Sequence, residues 1–280
     1  MRPSLDLDGK AILITGATNG LGRAVAARLA RPGVTLLLHG RDRERGAEIV
    51  AESRRAGADA VFYRAEFSSL REVRALGERV ASEHPRLDLL INNAGIGFGP
   101  RGSRREMSAD GYELRFAVDY LAPVLLTECL LPALVAAAPS RIVNVASAGQ
   151  QAIDFDDVML THRYSGARAY CRAKLAMIMW TFDLAEDLRP RGVTVNALHP
   201  ATFMDTYMVH EAGARPMSTV EEGVRAVLNL AVGDAGAKAT GAYFDGLSPA
   251  RAEPQAYDES ARERLRRLTR ELIAEPGSSG

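Results

Sequence analysis

KAILITGATNGLG, residues 10–22, runs from an apolar segment through a glycine-rich turn into the first helical pattern of the chain. KAILIT (10–15) is short and rich in Ile and Leu, which suits a buried strand. TGATNGLG (15–22) follows directly. Its glycines at 16, 20 and 22 allow a tight turn, close backbone approach and close packing of helix on sheet. A helix opening at residue 20 aims free amide donors and the positive end of its dipole at a pyrophosphate. The spacing is G-x-x-x-G-x-G rather than the usual G-x-G-x-x-G, and a glycine-rich turn alone is weak. Placed after a first strand in an alternating chain, it carries far more weight.

The alternation continues. VTLLLHG (34–40), AVFYRAE (60–66), LDLLINNAG (87–95), SRIVNVAS (140–147), VTVNALHP (193–200) and TGAYFDG (240–246) read as further strands. Several are apolar at nearly every position, as strands covered on both faces are. Helical patterns lie between them, over roughly 20–30, 42–56, 69–84, 109–136, 168–189 and 219–232, with a last one over 256–273. This order predicts an α/β fold: a Rossmann-type doubly wound parallel sheet of about seven strands with helices on both faces. No Pro/Ser-rich linker and no internal repeat divides the chain. One domain is therefore expected over 1–275, with a disordered tail at 276–280. Three long irregular segments, 97–111, 148–166 and 201–217, each follow the C-terminal end of a strand, where open α/β sheets bind ligands.

The 280 residues carry 35 basic and 35 acidic side chains, which argues against nucleic acid or an anionic membrane as the main partner. Two cysteines, Cys129 and Cys171, suggest no disulfide framework and fit a reducing compartment. The N-terminus lacks the apolar core of a secretion signal, and no apolar run approaches the ~20 residues of a membrane helix. The expectation is a soluble cytoplasmic protein with no membrane span and no metal site.

AYCRAK (169–174) carries chemistry. On a helix Tyr170 and Lys174 share one face, one turn apart, and an ammonium beside a phenol favours the phenolate, whose pKa is ~10 unperturbed. Y-x-x-x-K also arises by chance, so the rest of the chain must decide.

Taken together, Thr15–Gly22, the NNAG of Asn92–Gly95, Ser147 in NVAS, Tyr170 with Lys174, and Pro200–Ala201 in the place of a Pro-Gly resemble the short-chain dehydrogenase/reductase family over nearly the whole length. The resemblance implies an oxidoreductase that moves a hydride between a nicotinamide and a carbonyl or alcohol substrate. Tyr170 would be the general acid in reduction and the general base in oxidation. Lys174 would orient the nicotinamide ribose and favour phenolate, and Ser147 would hydrogen-bond the substrate oxygen. The cofactor would be held by Gly16, Thr18, Asn19, Gly20, Leu21, Gly22, Arg41, Glu66, Phe67, Asn93, Ala94, Gly95, Tyr170, Lys174, Pro200, Thr202 and Thr206. Glu66 and Phe67 match the family's Asp-Leu or Asp-Val pair beside the adenine.

NAD users of the family commonly end the second strand with an acid. Here LLLHGRD places Gly40 there, with Arg41 next, and a guanidinium suits a 2′-phosphate. NADP(H) is therefore favoured, with NAD(H) as the alternative. The main departure is Asp119 in FAVDYLAP (116–123), where the family carries an asparagine supporting the active-site lysine. A carboxylate there would partly cancel the cation's pull on Tyr170, giving a retuned pH profile, unless burial protonates it or the replacement is neutral.

Tyr170 follows Ser147 by 23 positions, longer than the family's common interval. That insertion resembles the retinol-dehydrogenase-like and WW-domain-oxidoreductase-like branch. Phe203, Met204, Tyr207 and Met208 suit a lipophilic substrate. Arg101, Arg104 and Arg105 read as a solvated basic loop or a contact for an acidic group. Residues 175–182, apolar nearly all round, imply a helix buried on several sides, one against the sheet and another against a homodimer partner. Two alternatives are weighed against the enzyme: a redox-inactive nucleotide-binding regulatory protein, and a lyase or epimerase using the cofactor transiently.

Overall fold

Strands apolar at nearly every position need cover on both faces. The computed structural model, which describes residues 5–100 and 102–274, supplies that cover. β1 (Lys10–Ile14), β2 (Val34–Gly40), β3 (Asp59–Arg64), β4 (Leu89–Asn92), β5 (Ser140–Val145), β6 (Val193–His199) and β7 (Ala242–Asp245) pair in parallel, and β8 (Ser248–Ala250) adds antiparallel to β7. The order is β3-β2-β1-β4-β5-β6-β7-β8. The strand order reverses between β1 and β4, which makes their C-terminal ends the switch point.

Side chains alternate between the faces with the strand period of two. Ile12, Ile14, Leu36, Leu38, Leu89 and Ile91 pack on the side of α1 (Gly20–Leu29) and α8 (Val220–Ala231). Leu13, Leu37, Leu90 and Val195 face the side of α3 (Leu70–Glu83), α5 (Ala122–Ala136) and α6 (Gly166–Leu188). α2 (Arg43–Arg55) lies against β3. Polar caps start these helices: Asp42 accepts from Glu44 N and Arg45 N, and Thr219 and Glu222 form a reciprocal box at α8.

Among the described residues the sheet has the seven expected strands and one more, β8. Ser-Pro-Ala lacks strand-forming residues, and its proline is tolerated because β8 is an edge strand. The pattern over 109–136 begins helical geometry only at α4 (Leu114–Phe116), continues through a π-helical turn (Ala117–Leu121) and becomes α5. A bridge between Met107 and Glu113 around Gly111 holds the preceding residues in a turn. α7 (Tyr207–Glu211) is a short helix within the segment 201–217 read as irregular, and α9 (Asp234–Lys238) is a short helix between the pattern ending at 232 and the strand beginning at 240. Arg101 and residues 276–280 lie outside the described residues.

Two expectations about apolar helices change. By length and composition, Leu114–Ala136 is long and apolar enough to cross a membrane, but 72% of its most apolar window is buried inside the fold. Its apolarity serves the core. Residues 175–182 are buried apart from the partly exposed Trp180, and part of the cover beyond the sheet comes from the same chain. Tyr257 packs on Phe182 (centroids 5.5 Å apart), and Arg266 of α10 (Glu259–Ile273) pairs with Asp183 at 2.9 Å. Much of the apolar circumference is thus covered within the chain itself.

Candidate active site

The C-terminal ends of β1 and β4 are bolted together by one threonine. The Thr15 hydroxyl accepts from Asn93 N (2.9 Å) and Ala94 N (3.0 Å), and Asn93 Nδ2 returns a bond to Thr15 O (2.8 Å). The glycine turn is consequently tight. Gly16 has φ 66, and a Cβ there would come within 2.9 Å of Ala94 Cα; a Cβ at Gly22 would overlap the Gly16 carbonyl oxygen. Asn19 caps α1 by accepting from Gly20 N (2.8 Å), and Gly20, Leu21 and Gly22 line the opening. A cavity of about 680 Å³ lies above these strand ends.

Every residue assigned to the cofactor lines this cavity: Gly16, Thr18–Gly22, Arg41, Glu66, Phe67, Asn93–Gly95, Tyr170, Lys174, Pro200, Thr202 and Thr206. Ser147 lines it as well. Asp119 does not; it lies behind the wall, fully buried in the π-helical turn.

At one wall the chemistry-bearing groups converge. Gly149 N–H donates to Ser147 Oγ (3.0 Å), which leaves the serine hydrogen for the Tyr170 oxygen. Tyr243 OH donates to the Ser147 carbonyl (3.1 Å) and fixes the end of β5. Lys174, nearly inaccessible, donates to Val145 O (3.2 Å), with its ammonium 5.5 Å from the Tyr170 ring centre. Enclosure of the phenol raises the Tyr170 pKa, the Ser147 hydrogen bond opposes the rise, and the Asp119 charge adds to it. Burial thus sets the direction of the shift.

Asp119 Oδ1 accepts from Ile96 N (2.7 Å), and Oδ2 has no hydrogen-bond partner among the described residues. Burial pushes its carboxyl up to about 6, with the nearby Lys174 ammonium and the Ile96 amide opposing.

The other end of the cavity is the end of β2. A Cβ at Gly40 would approach Thr18 Cγ2 to 2.5 Å, so this position has no room for an acid. Arg41 lines the opening instead, its NH1 3.7 Å from Glu66 Oε2. Beside them His39 stacks on Phe67 with centroids 4.3 Å apart.

The family profile of the short chain dehydrogenases matches residues 10–216. The chain belongs to the short-chain dehydrogenase/reductase family. Human retinol dehydrogenase 13 is 36% identical over 280 residues, covering 92% of this chain and 83% of that protein. Among solved structures, Pseudomonas aeruginosa RhlG in an active-site complex with NADP is 26% identical, with TM-score 0.71, over 88% of this chain and 97% of that one. A Burkholderia cenocepacia short-chain dehydrogenase in complex with NADP is 28% identical, with TM-score 0.69, over 85% and 96%.

This short-chain dehydrogenase/reductase is a nicotinamide-dependent oxidoreductase acting on alcohol or carbonyl groups of a small molecule. Its own residues fit such a cofactor: backbone amides and glycines that a side chain would fill face the cavity from the start of α1. Among the described residues no cluster of His, Cys, Asp or Glu is placed to hold a metal ion.

Two features escaped sequence reasoning. His39 receives Gly16 N–H on Nδ1 (3.4 Å) and bonds Ala65 O through Nε2 (3.2 Å); burial pushes it down to about 4, so the ring is neutral. The only signal was a polar residue ending the apolar run LLLH. The second is Arg115, buried at the start of the π-turn helix. Its Nε donates to Gly97 O (3.0 Å) and its NH1 to Tyr164 OH (2.9 Å), while Tyr164 OH donates to Glu113 Oε1 (3.1 Å). One guanidinium thereby joins the 97–111 segment to the segment leading into α6. Phe98, next to Gly97, stands edge-on to the Tyr170 ring at 6.0 Å. Among the described residues, the non-glycine residues with left-handed backbone are Leu160, Arg163 and Phe203, all in the long segments bordering the site.

Proposed function

We propose that the protein is an NADP(H)-dependent oxidoreductase of a lipophilic alcohol or carbonyl compound, with Tyr170 as its general acid–base. The observation that carries this reading is the meeting of Ser147, Tyr170 and Lys174 on one wall of the glycine-lined cavity. A nicotinamide bound there supplies or accepts the hydride. Ser147 hydrogen-bonds the substrate oxygen and stabilises charge developing on it. Tyr170 delivers a proton to that oxygen in reduction and removes one in oxidation. Lys174 and the positive charge of an oxidised nicotinamide oppose the effect of burial and bring the phenol toward working pH. Lys174 also has donors left for a ribose hydroxyl.

The lipophilic class is supported by the rest of the lining, where Ile96, Phe98, Leu114, Val118, Met208 and Val209 offer no charge. It agrees with the naming of relatives as retinol dehydrogenases. The NADP(H) preference is supported by Arg41 at the opening and by the lack of room for an acid at Gly40.

The test is a titration with NADPH and NADH followed by reduced-nicotinamide fluorescence, wild type beside Arg41→Ala. It is followed by NADPH oxidation with a short aldehyde, a long-chain aldehyde and retinal. Tighter NADPH binding that Arg41→Ala removes, with turnover of the longer aldehydes abolished by Tyr170→Phe, is the expected result. Binding of neither nucleotide would defeat the reading.

A further inference from the structure

The adenosine end of the cavity holds an electrostatic arrangement that the cofactor preference alone does not describe. Arg41 is the cation there, with a side chain 65% exposed, and Glu66 is the one carboxylate within ion-pair distance of it among the described residues, at 3.7 Å. The two come from neighbouring strand ends: Arg41 follows β2, and Glu66 lies two residues past β3. The aromatic pair beside them contributes no charge, because His39 is buried and neutral. Glu72, the next acid along, is occupied: it accepts from Glu66 N (3.0 Å) and Arg64 NH1 (3.1 Å). The charge presented to the end of a dinucleotide is thus one guanidinium and one carboxylate, largely cancelling.

The Glu66 carboxylate is loosely held apart from this pair. Its one other hydrogen bond among the described residues is accepted from Ser68 N–H at 3.5 Å, the limit of such a bond. A shorter acid at this position would not extend as far toward Arg41. The carboxylate that has no room at Gly40 is therefore supplied from the adjacent strand, aimed at the cation instead of at the ribose.

From this we infer that Glu66 sets the degree of discrimination between NADPH and NADH by holding Arg41. A 2′-phosphate must draw Arg41 away from a carboxylate that also repels it, whereas a ribose lacking the phosphate leaves the pair intact. Glu66 is a specificity-determining residue that moderates the preference Arg41 creates and keeps NADH usable. The inference rests on the NADP(H) reading above.

The ratio of the two dissociation constants is the readout, because any change in adenine contact affects both nucleotides alike. Reduced-nicotinamide fluorescence titrations with NADPH and with NADH would be run on wild type, Glu66→Gln, Arg41→Ala and the double variant at one ionic strength. Glu66→Gln is expected to raise the preference for NADPH by up to about fivefold, the scale of an exposed ion pair. Its effect on that ratio is expected to vanish in the Arg41→Ala background. An unchanged or lowered preference in Glu66→Gln overturns the inference while leaving the NADP(H) reading standing. So does an equal gain with and without Arg41, which would mean direct repulsion of the phosphate. Wild type binding neither nucleotide removes both.

Discussion

Asp119 and Lys174 face each other across the α-carbon of Gly95: a Cβ on that glycine would lie 3.0 Å from Asp119 Oδ1 and 3.3 Å from Lys174 Nζ. The carboxyl therefore acts on the same electrostatic pocket as the ammonium, and it raises the Tyr170 pKa. Removing its charge lowers that pKa. In Asp119→Asn the pH at which alcohol oxidation reaches half its maximum is expected to fall by roughly 0.5–1 unit, because oxidation needs the phenolate. The alkaline loss of carbonyl reduction, which needs the phenol, moves down with it. Asparagine keeps an oxygen for Ile96 N, so the fold is retained. Superimposable pH–rate profiles of the two proteins would show that Asp119 is a neutral replacement.

Thr18 and Gly40 form a second coupled pair. Gly40→Asp alone is expected to cost about 1–3 kcal/mol of stability, because its Cβ meets Thr18 Cγ2 at 2.5 Å. Nucleotide affinity falls with it. Thr18→Ala opens the space, and the double variant is expected to bind NADH in preference to NADPH, since an acid now faces the ribose hydroxyls. Thermal melts and nucleotide titrations of the three variants check both parts; a Gly40→Asp protein as stable as wild type would show that Thr18 yields freely.

What the sequence made legible was local or lay at strand ends. Gly16, Gly20 and Gly22 are readable because a backbone turn needs them in order, and Ser147, Tyr170 and Lys174 because their order and place after β5 and on α6 resemble the family's pattern. Arg115 was not readable, since its partner Tyr164 lies 49 positions away, beyond α5, β5 and most of an irregular segment. Apolarity in residues 175–182 correctly implied cover beyond the sheet, but not that Tyr257 and α10 supply part of it, because they come from the far end of the chain. The acid missing from Gly40 was visible; that Glu66 extends from the next strand to Arg41 was not, because pairing register decides it.

Arg115 joins three pieces of the site wall, and its loss should be felt first by the substrate. Tyr164→Phe removes the hydroxyl between Arg115 and Glu113 and is expected to cost about 1 kcal/mol. Arg115→Gln strands the buried Glu113 carboxylate and is expected to cost about 3–5 kcal/mol. Where folded, both should raise KM for a long-chain aldehyde more than for a short one, because the Gly97–Phe98 wall is released, with NADPH affinity little changed. Equal effects on long and short aldehydes would confine Arg115 to stability.

His39 and Asp119 oppose each other in their effect on stability at acid pH. The folded His39 titrates near 4, below its ordinary 6.5. The stability linked to it is present above pH 6.5 and is lost, by about 3 kcal/mol, as pH falls through 4. Asp119 has the reverse sign: its folded value near 6 exceeds its ordinary 3.8, so its linked stability is present below 3.8 and is lost, again by about 3 kcal/mol, as pH rises through 6. Between pH 6.5 and 4 the two contributions run in opposite directions and nearly cancel. Asp119→Asn removes one of them. The variant is expected to be more stable than wild type at pH 7 and to lose that advantage steadily down to pH 4, where the His39 cost stands uncompensated. Chemical denaturation at half-unit intervals across this range measures the difference directly. A constant offset between the two proteins would mean that Asp119 does not change its protonation on folding.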